Sequence, residues 1–171
     1  MDVLDAIKKR RSIRAFERKP LKEDEINTII DALIWAPSAG NLQARKFFLV
    51  TNQEIKKQLV KAAFNQYFLE EAGLVIVGCV EEFIKYRYGD RGLNLYGPQD
   101  VAASIQNASL AAVSLGLGSV WVGAFDEKKV SKVMGISSDL RPVAMLAVGY
   151  PKENPIPPER RPISELIEFV D

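Results

Sequence analysis

Seven consecutive residues, Leu74-Val75-Ile76-Val77-Gly78-Cys79-Val80, carry no charge and show no apolar–polar alternation. A half-exposed strand alternates because successive side chains point to opposite faces. An unbroken β-branched run is the mark of a strand covered on both faces. A chain holding such a strand must supply the layers that bury it. At 171 residues this one has room; that length suits about one domain and lets roughly two-thirds of the unfolded surface be buried. With 47% hydrophobic and 26% charged residues it reads as globular, which excludes a disordered chain, a collagen or a coiled coil.

The rest of the chain supplies candidate layers. Val3, Leu4 and Ile7 predict a short helix ending in Lys8-Lys9-Arg10-Arg11. Ile26, Ile29, Ile30, Leu33 and Ile34 repeat at helical spacing behind Glu23-Asp24-Glu25, and Pro37 ends that helix. A strand is expected over 46–51. A capping box of Thr51 and Glu54 then starts a helix carrying Ile55, Leu59, Val60 and Ala63. Residues 83–97, rich in Tyr, Gly and Arg, read as a loop. Pro98 opens a helix running to Gly116, so rich in Ala and Ser that neighbours can approach closely; it should be central. Strands are expected at 120–122 and 142–148, separated by a helix capped by Asp126, stapled by Phe125 and Val130 and closed by Gly135. The tail from Pro151 holds five of the nine prolines and should be extended. Helices alternating with four strands give a two-layer or three-layer α/β or α+β domain spanning residues 1–171.

Composition removes most chemistries. Twenty-three basic and 22 acidic residues leave a net charge of +1, so the chain as a whole is no polyanion binder. The basic residues crowd one short segment, which disfavours nucleic acid as a partner. Cys79 stands alone, excluding an internal disulfide and a cysteine-rich zinc site. There is no histidine, so imidazole-based triads, His-ligated metals and imidazole switches are excluded, and no metal site is expected. Gly116-Leu117-Gly118 lacks the third glycine of a dinucleotide fingerprint, and no Gly-Lys pair offers a phosphate loop. The first residues lack the basic-then-apolar pattern of an export signal. The uncharged stretch 101–125 contains four serines and three glycines, too polar to span a membrane. A cytoplasmic protein without a membrane partner is the expectation. Chemistry must come from Arg, Asp, Glu, Ser, backbone amides or a borrowed cofactor.

Four clusters are candidates. From Lys8 to Lys22 eight basic residues meet one acid, and Arg10-Arg11-Ser12-Ile13-Arg14 sets guanidiniums around a hydroxyl. Arginine forks match phosphate oxygens. The competing reading, of similar weight, is that these residues complement the negative end of the first helix. Ala36-Pro37-Ser38-Ala39-Gly40-Asn41-Leu42-Gln43 exposes amides and carboxamides suited to a flat heteroaromatic edge, or is an ordinary turn. Trp121-Val122-Gly123-Ala124-Phe125 ends a strand in small residues whose amides can approach a ligand. Arg160-Arg161 is a further phosphate candidate, or solvated charge.

In order along the chain, Arg10-Arg11-Ser12-Ile13-Arg14-Ala15-Phe16, residues 36–43, Gly116-Leu117-Gly118 through Asp126, Val148-Gly149-Tyr150-Pro151 and Arg160-Arg161-Pro162 resemble the flavin-dependent nitroreductase family. The resemblance covers nearly the whole chain. It implies an α+β sandwich with a mixed, mainly antiparallel sheet flanked by helices. It also implies an intertwined homodimer with FMN in each of two clefts between subunits and a tail from about 151 wrapping the partner. By that resemblance Arg10, Ser12 and Arg160 or Arg161 hold the phosphate, and Arg11 brackets the ribityl and phosphate region. Arg14 faces the pyrimidine edge. Pro37, Ser38 and Ala39 pack on the ring from the other subunit with Asn41 nearby, and Asn65 and Gln66 match the amide position at the ring's polar edge. Trp121 and Val122 lead to Gly123 and Ala124, whose backbone faces flavin N5, with no catalytic side chain. The implied activity passes hydride from NADH or NADPH through the flavin to a small electron-poor acceptor (nitroaromatic, quinone or flavin) in two half-reactions. The alternative is a flavin-binding or redox-sensing dimer without turnover. Two positions depart from the family pattern: Arg45 stands where many relatives carry an aromatic residue, and Phe68 where some are basic. Tyr86, Tyr88 and Tyr96 either line an acceptor pocket or simply pack.

Overall fold

The computed structural model describes residues 1–170 and is built around one four-stranded sheet. Strands β1 (Arg45–Val50), β2 (Leu74–Glu81), β3 (Gly118–Val122) and β4 (Leu140–Gly149) lie in the order β1-β2-β4-β3, every neighbouring pair antiparallel. The run that demanded cover is β2, paired on both sides and buried from Leu74 to Val80. Its side chains divide strictly. Val75, Val77 and Cys79 join a core with Leu59, Val60, Leu69, Val130 and Met145; Leu74, Ile76 and Val80 join another with Ile29, Leu33, Val101, Ile105 and Leu146. Helices α3 (Gln53–Ala62), α4 (Phe68–Glu71) and α7 (Glu127–Met134) cover the first face, and α2 (Glu23–Ile34), α5 (Lys85–Arg91) and α6 (Gly97–Ser114) the second. The result is an α+β fold of three layers.

Helix α6 is central, as its Ala/Ser content requires: Val101, Ser104, Ile105, Ala108, Ser109 and Ala112 are buried. Helix α7 follows its sequence signals closely. The Asp126 carboxylate accepts from the Lys129 amide at 3.0 Å, and Gly135 ends the helix in left-handed conformation (φ 61°, ψ 34°).

Three expectations are corrected. Residues 83–97 are helical. After a short turn at Glu82–Ile84, α5 passes through a π-helical turn, Gly92–Tyr96, directly into α6. Ile84, Tyr88, Leu93 and Tyr96 pack on the second core, and that tertiary contact overrides weak local propensity. The cap of α3 is Asn52 and not Thr51: its Oδ1 accepts from the amides of Glu54 and Ile55 at 3.0 and 3.1 Å. The tail is extended except for one helical turn, α8 (Ile163–Leu166).

Helix α1 (Val3–Lys9) precedes an arm that lies along the free edge of β3. Ser12 bridges Ser119 in parallel, the Ile13 amide donates to the Ser119 carbonyl at 3.0 Å, and Ile13 is buried. The arm then turns to run against the start of the tail. Glu17 donates to the Tyr150 carbonyl, Lys152 to that of Ala15, and Phe16 bridges Pro151. The N-terminal arm and the start of the tail thus run side by side. Among the described residues no helix is long and apolar enough to cross a membrane.

Candidate functional site

The candidate residues gather at two places on opposite edges of the sheet. At the β3 edge, the arm brings Arg10, Arg11 and Ser12 beside the start of the strand, which ends at Val122 and is followed by Gly123 and Ala124. Ser12 is half-buried, and the Ser119 hydroxyl next to it turns inward to meet the Ser109 hydroxyl at 2.9 Å. Arg11 is committed to the helix: its Nη1 donates to the Lys8 carbonyl at 2.6 Å and the Arg10 carbonyl at 2.8 Å. That geometry is the one the competing reading describes, a guanidinium at the negative end of α1. Arg10 supplies the helix cap through its backbone amide, and its half-exposed side chain pairs with no carboxylate among the described residues. The Arg14 amide donates to the Glu153 carboxylate, leaving its guanidinium exposed.

Beyond β3 the backbone is open. Gly123 has no heavy atom within 4 Å of where a Cβ would stand. Gln66 donates its Nε2 to the Ala124 carbonyl at 2.8 Å and the Ala63 carbonyl at 3.0 Å, fixing the plane of the Ala124 peptide. Among the described residues the amides of Gly123 and Ala124 donate to no backbone or side-chain acceptor. Sequence had paired Asn65 with Gln66, but Asn65 is exposed and left-handed (φ 64°) and takes no part in that contact. Trp121 is 41% exposed, whereas the Val122 side chain belongs to the core, so Val122 offers a ligand only its backbone.

At the β1 edge, residues 37–41 form a strained turn. Gly40, Asn41 and Gln43 all have positive φ, near 54°, 54° and 52°. Hydrogen bonds to its amides hold the turn. Both Asp100 oxygens accept from the Ala39 amide, at 3.0 and 3.1 Å, and the Ser38 hydroxyl accepts from the Gln43 amide at 3.0 Å. Arg45 is the residue that sequence reasoning left unassigned. Buried at the start of β1, it donates to the carbonyls of Ile34, Ala36, Pro37 and Asp100 at 3.2, 2.6, 2.8 and 3.2 Å. A planar fork can hold four diverging carbonyls; an aromatic ring at this position could not. Burial lowers the pKa of Arg45, and Asp100 partly opposes this; burial raises that of Asp100 against its bond to Ala39 and the Arg45 charge.

Arg160 and Arg161 lie out on the tail, exposed. Arg160 donates to the carbonyls of Pro158 and Glu159, and Arg161 pairs with Glu165 at 3.0 Å, so within one protomer neither joins the Arg10 cluster. Tyr88 and Tyr96 meet edge to face at 5.3 Å, packed on the second core, while Tyr86 is almost fully exposed. Among the described residues no group of His, Cys, Asp and Glu is arranged to hold a metal ion.

Comparison with known proteins accounts for this layout. The model of the Nitroreductase family matches residues 7–81 and 60–150, more than half of the chain. The chain belongs to the nitroreductase family. A protein of Methanothermobacter thermautotrophicus is 33% identical over 159 residues, 91% of this chain and 80% of its own. Among solved structures, nitroreductase A from Vibrio parahaemolyticus superposes with a TM-score of 0.91 at 28% identity, covering 100% of this chain and 77% of that one. The NADPH:FMN oxidoreductase from Vibrio harveyi, solved in complex with NAD+, superposes with a TM-score of 0.90 at 28% identity, covering 98% and 76%.

Proposed function

We propose that this nitroreductase-family chain is an FMN-dependent oxidoreductase that takes hydride from NADH or NADPH and passes it to a small electron-poor acceptor. The observation that carries the reading is the β3 edge, where a guanidinium-and-hydroxyl arm lies beside a strand that is followed by two unengaged amides. That edge fits a phosphorylated, flat-ringed cofactor. Arg10 and Ser12 bind the phosphate. Gly123, where no side chain obstructs, and Ala124, whose carbonyl Gln66 holds, present N–H groups to the ring's central nitrogen. Arg14 places positive charge at the pyrimidine edge, where reduction builds negative charge, and so stabilises it as it develops. Bound there, FMN supplies the hydride chemistry that a chain without histidine lacks.

The site needs a second copy of the chain. Residues 37–41 sit beyond β1 and the Arg10 arm beyond β3, with β2 and β4 between them. At about 4.8 Å per strand the two halves stand well over ~14 Å apart in one protomer. A homodimer in which the 37–41 turn of one subunit faces the β3 edge of the other closes the cleft. The partner's tail then brings Arg160 or Arg161 to the phosphate. Apolar surface supports this: Val3, Leu4, Ile34 and Trp35 are exposed on α1 and α2, and Ile156, Ile163 and Phe169 on the tail.

A purified sample tests the reading directly. A yellow protein whose visible band is bleached anaerobically by NADH or NADPH, and restored by a nitroaromatic, quinone or free flavin, is expected. A colourless protein that takes up no added FMN would end it, and a yellow one that neither nucleotide bleaches would favour the non-turnover alternative.

A further inference from the structure

Helix α5 carries two guanidiniums that no assigned role uses. Arg87 lies over the Tyr88 ring, its Cζ 5.5 Å from the centroid; Arg91 lies over the Tyr96 ring at 5.4 Å, and its Nε donates to the Tyr96 hydroxyl at 3.0 Å. Neither joins an ion pair among the described residues, although acids lie nearby: Lys85 takes both Glu82, in the turn before α5, and Asp90, at 3.6 and 3.4 Å. Nor does Arg91 complement a helix end, because Gly92 is helical (φ −57°, ψ −53°) and the chain continues through the π-helical turn into α6. The two charges are thus stacked on aromatic faces, which leaves guanidinium edges free to donate.

Their position is fixed by two glycines. Gly89 adopts φ 56°, ψ −151°, a region that is essentially glycine-only, and so bends α5 in the middle. The bend sets Arg87 and Tyr88 against the 37–41 turn. A Cβ on Gly40 would fall on the Tyr88 hydroxyl and stand 3.4 Å from Arg87 Cζ. The arginine–tyrosine cluster therefore adjoins the turn that, on the reading above, packs on the bound ring. It comes from the same subunit as that turn, opposite the Arg10 arm.

We infer that Arg87 and Arg91, stacked on Tyr88 and Tyr96, form a subsite for a phosphate group of the exchanging substrate, a flat-ringed molecule that carries one. This rests on the function proposed above. Guanidinium forks match phosphate oxygens in geometry as well as charge. Two substrates of the proposed reaction have that chemistry: NADPH, through the 2′-phosphate that NADH lacks, and free FMN as acceptor, through the phosphate that riboflavin lacks. The subsite discriminates within whichever pair it serves.

The test uses the purified holoprotein and the variants Arg87→Ala and Arg91→Ala. Calorimetric titration with NADP+ and NAD+ scores the first pair, and kcat/KM with FMN and riboflavin as acceptors scores the second. Loss of a charge-assisted bond predicts that each variant weakens the phosphorylated member of one pair by about 10-fold and its counterpart by less than about 2-fold. Bound flavin per protomer, read from the visible band, stays as in the wild type. Equal effects on both members of both pairs, or no effect, overturn the proposal. Loss of the bound flavin also overturns it, since the arginines would then hold the resident cofactor. Should the alanine variants fail to fold, Arg87→Gln and Arg91→Gln carry the same measurements. A wild-type protein with no flavin at all would sink the proposed function, and the NADP+/NAD+ titration would still decide the role of the arginines.

Discussion

Arg45 shows how a single side chain can organise a region that its sequence neighbours only outline. Its fork satisfies four carbonyls around the 37–41 turn, and Asp100 satisfies the Ala39 amide from the other side. Arg45→Met strands those carbonyls and leaves a buried carboxylate without its counter-charge. A stability loss of about 3 kcal/mol follows from the usual cost of unsatisfied buried groups, and Arg45→Lys, a point charge without the fork, should recover only part of it. Urea denaturation midpoints measure both; a Met variant as stable as the wild type would refute the organising role. The Asp100 carboxyl sits above its ordinary pKa, so the native state holds that proton more tightly than the unfolded chain does. Linkage then makes this group's contribution fall as pH rises from about 4 through its native value. Asp100→Asn does not titrate there, so the wild type should lose stability relative to the variant as pH rises above about 4. A pH-independent gap would contradict the shift. Cys79, in the middle of β2, has its thiol pushed up to about 12 by burial. At pH 8 only about one such thiol in ten thousand would be ionised, so a disulfide reagent should modify Cys79 in denaturant and leave the folded protein untouched.

Elements were legible where local chemistry and tertiary packing agree. The run 74–80, the α2 periodicity, Pro98 in the first turn of α6, and the Asp126 and Gly135 signals all carry their structure in nearby residues. Failures came where a distant contact decides. Residues 83–97 look like a loop because Tyr, Gly and Arg give no clean period, yet their apolar members reach the core on α2 and α6 and the segment winds into helix. The site was legible in the same uneven way. Residue types at the β3 edge signalled themselves, whereas Arg11's helix-closing bonds, Val122's inward side chain and Arg45's four carbonyls follow only from the three-dimensional layout. The misplaced α3 cap is directly testable. Asn52 accepts two amides and Thr51 accepts none of those named for that helix end, so Asn52→Ala should cost about 1 kcal/mol and Thr51→Ala much less. Equal losses in chemical denaturation would restore the sequence-based cap.

At the scale of the molecule, the N-terminal arm and the start of the tail run side by side near β3, while the turn proposed to pack on the ring precedes β1 at the other side of the sheet. A protomer alone exposes large apolar groups: Trp35 is 80% exposed, and Ile156 and Phe169 are each 89% exposed on a tail that touches its own fold mainly where it starts. If the tail folds over a second copy, it contributes twice, by burying those apolar groups and by carrying a guanidinium to the other subunit's phosphate. The two contributions separate experimentally. A chain ending after Pro155 removes both, and should sediment as a monomer at micromolar concentration and lose its visible flavin band on gel filtration. Arg160→Ala combined with Arg161→Ala removes only the second. It should remain dimeric while binding FMN about 10-fold more weakly, the scale of one charge-assisted hydrogen bond. The truncated chain keeps the sheet and both cores, so its far-ultraviolet dichroism should stay close to that of the full chain. A truncated chain that stays dimeric and yellow would show that the sheet edges and α1 close the cleft without the tail, and Arg160 and Arg161 would then be solvated charge.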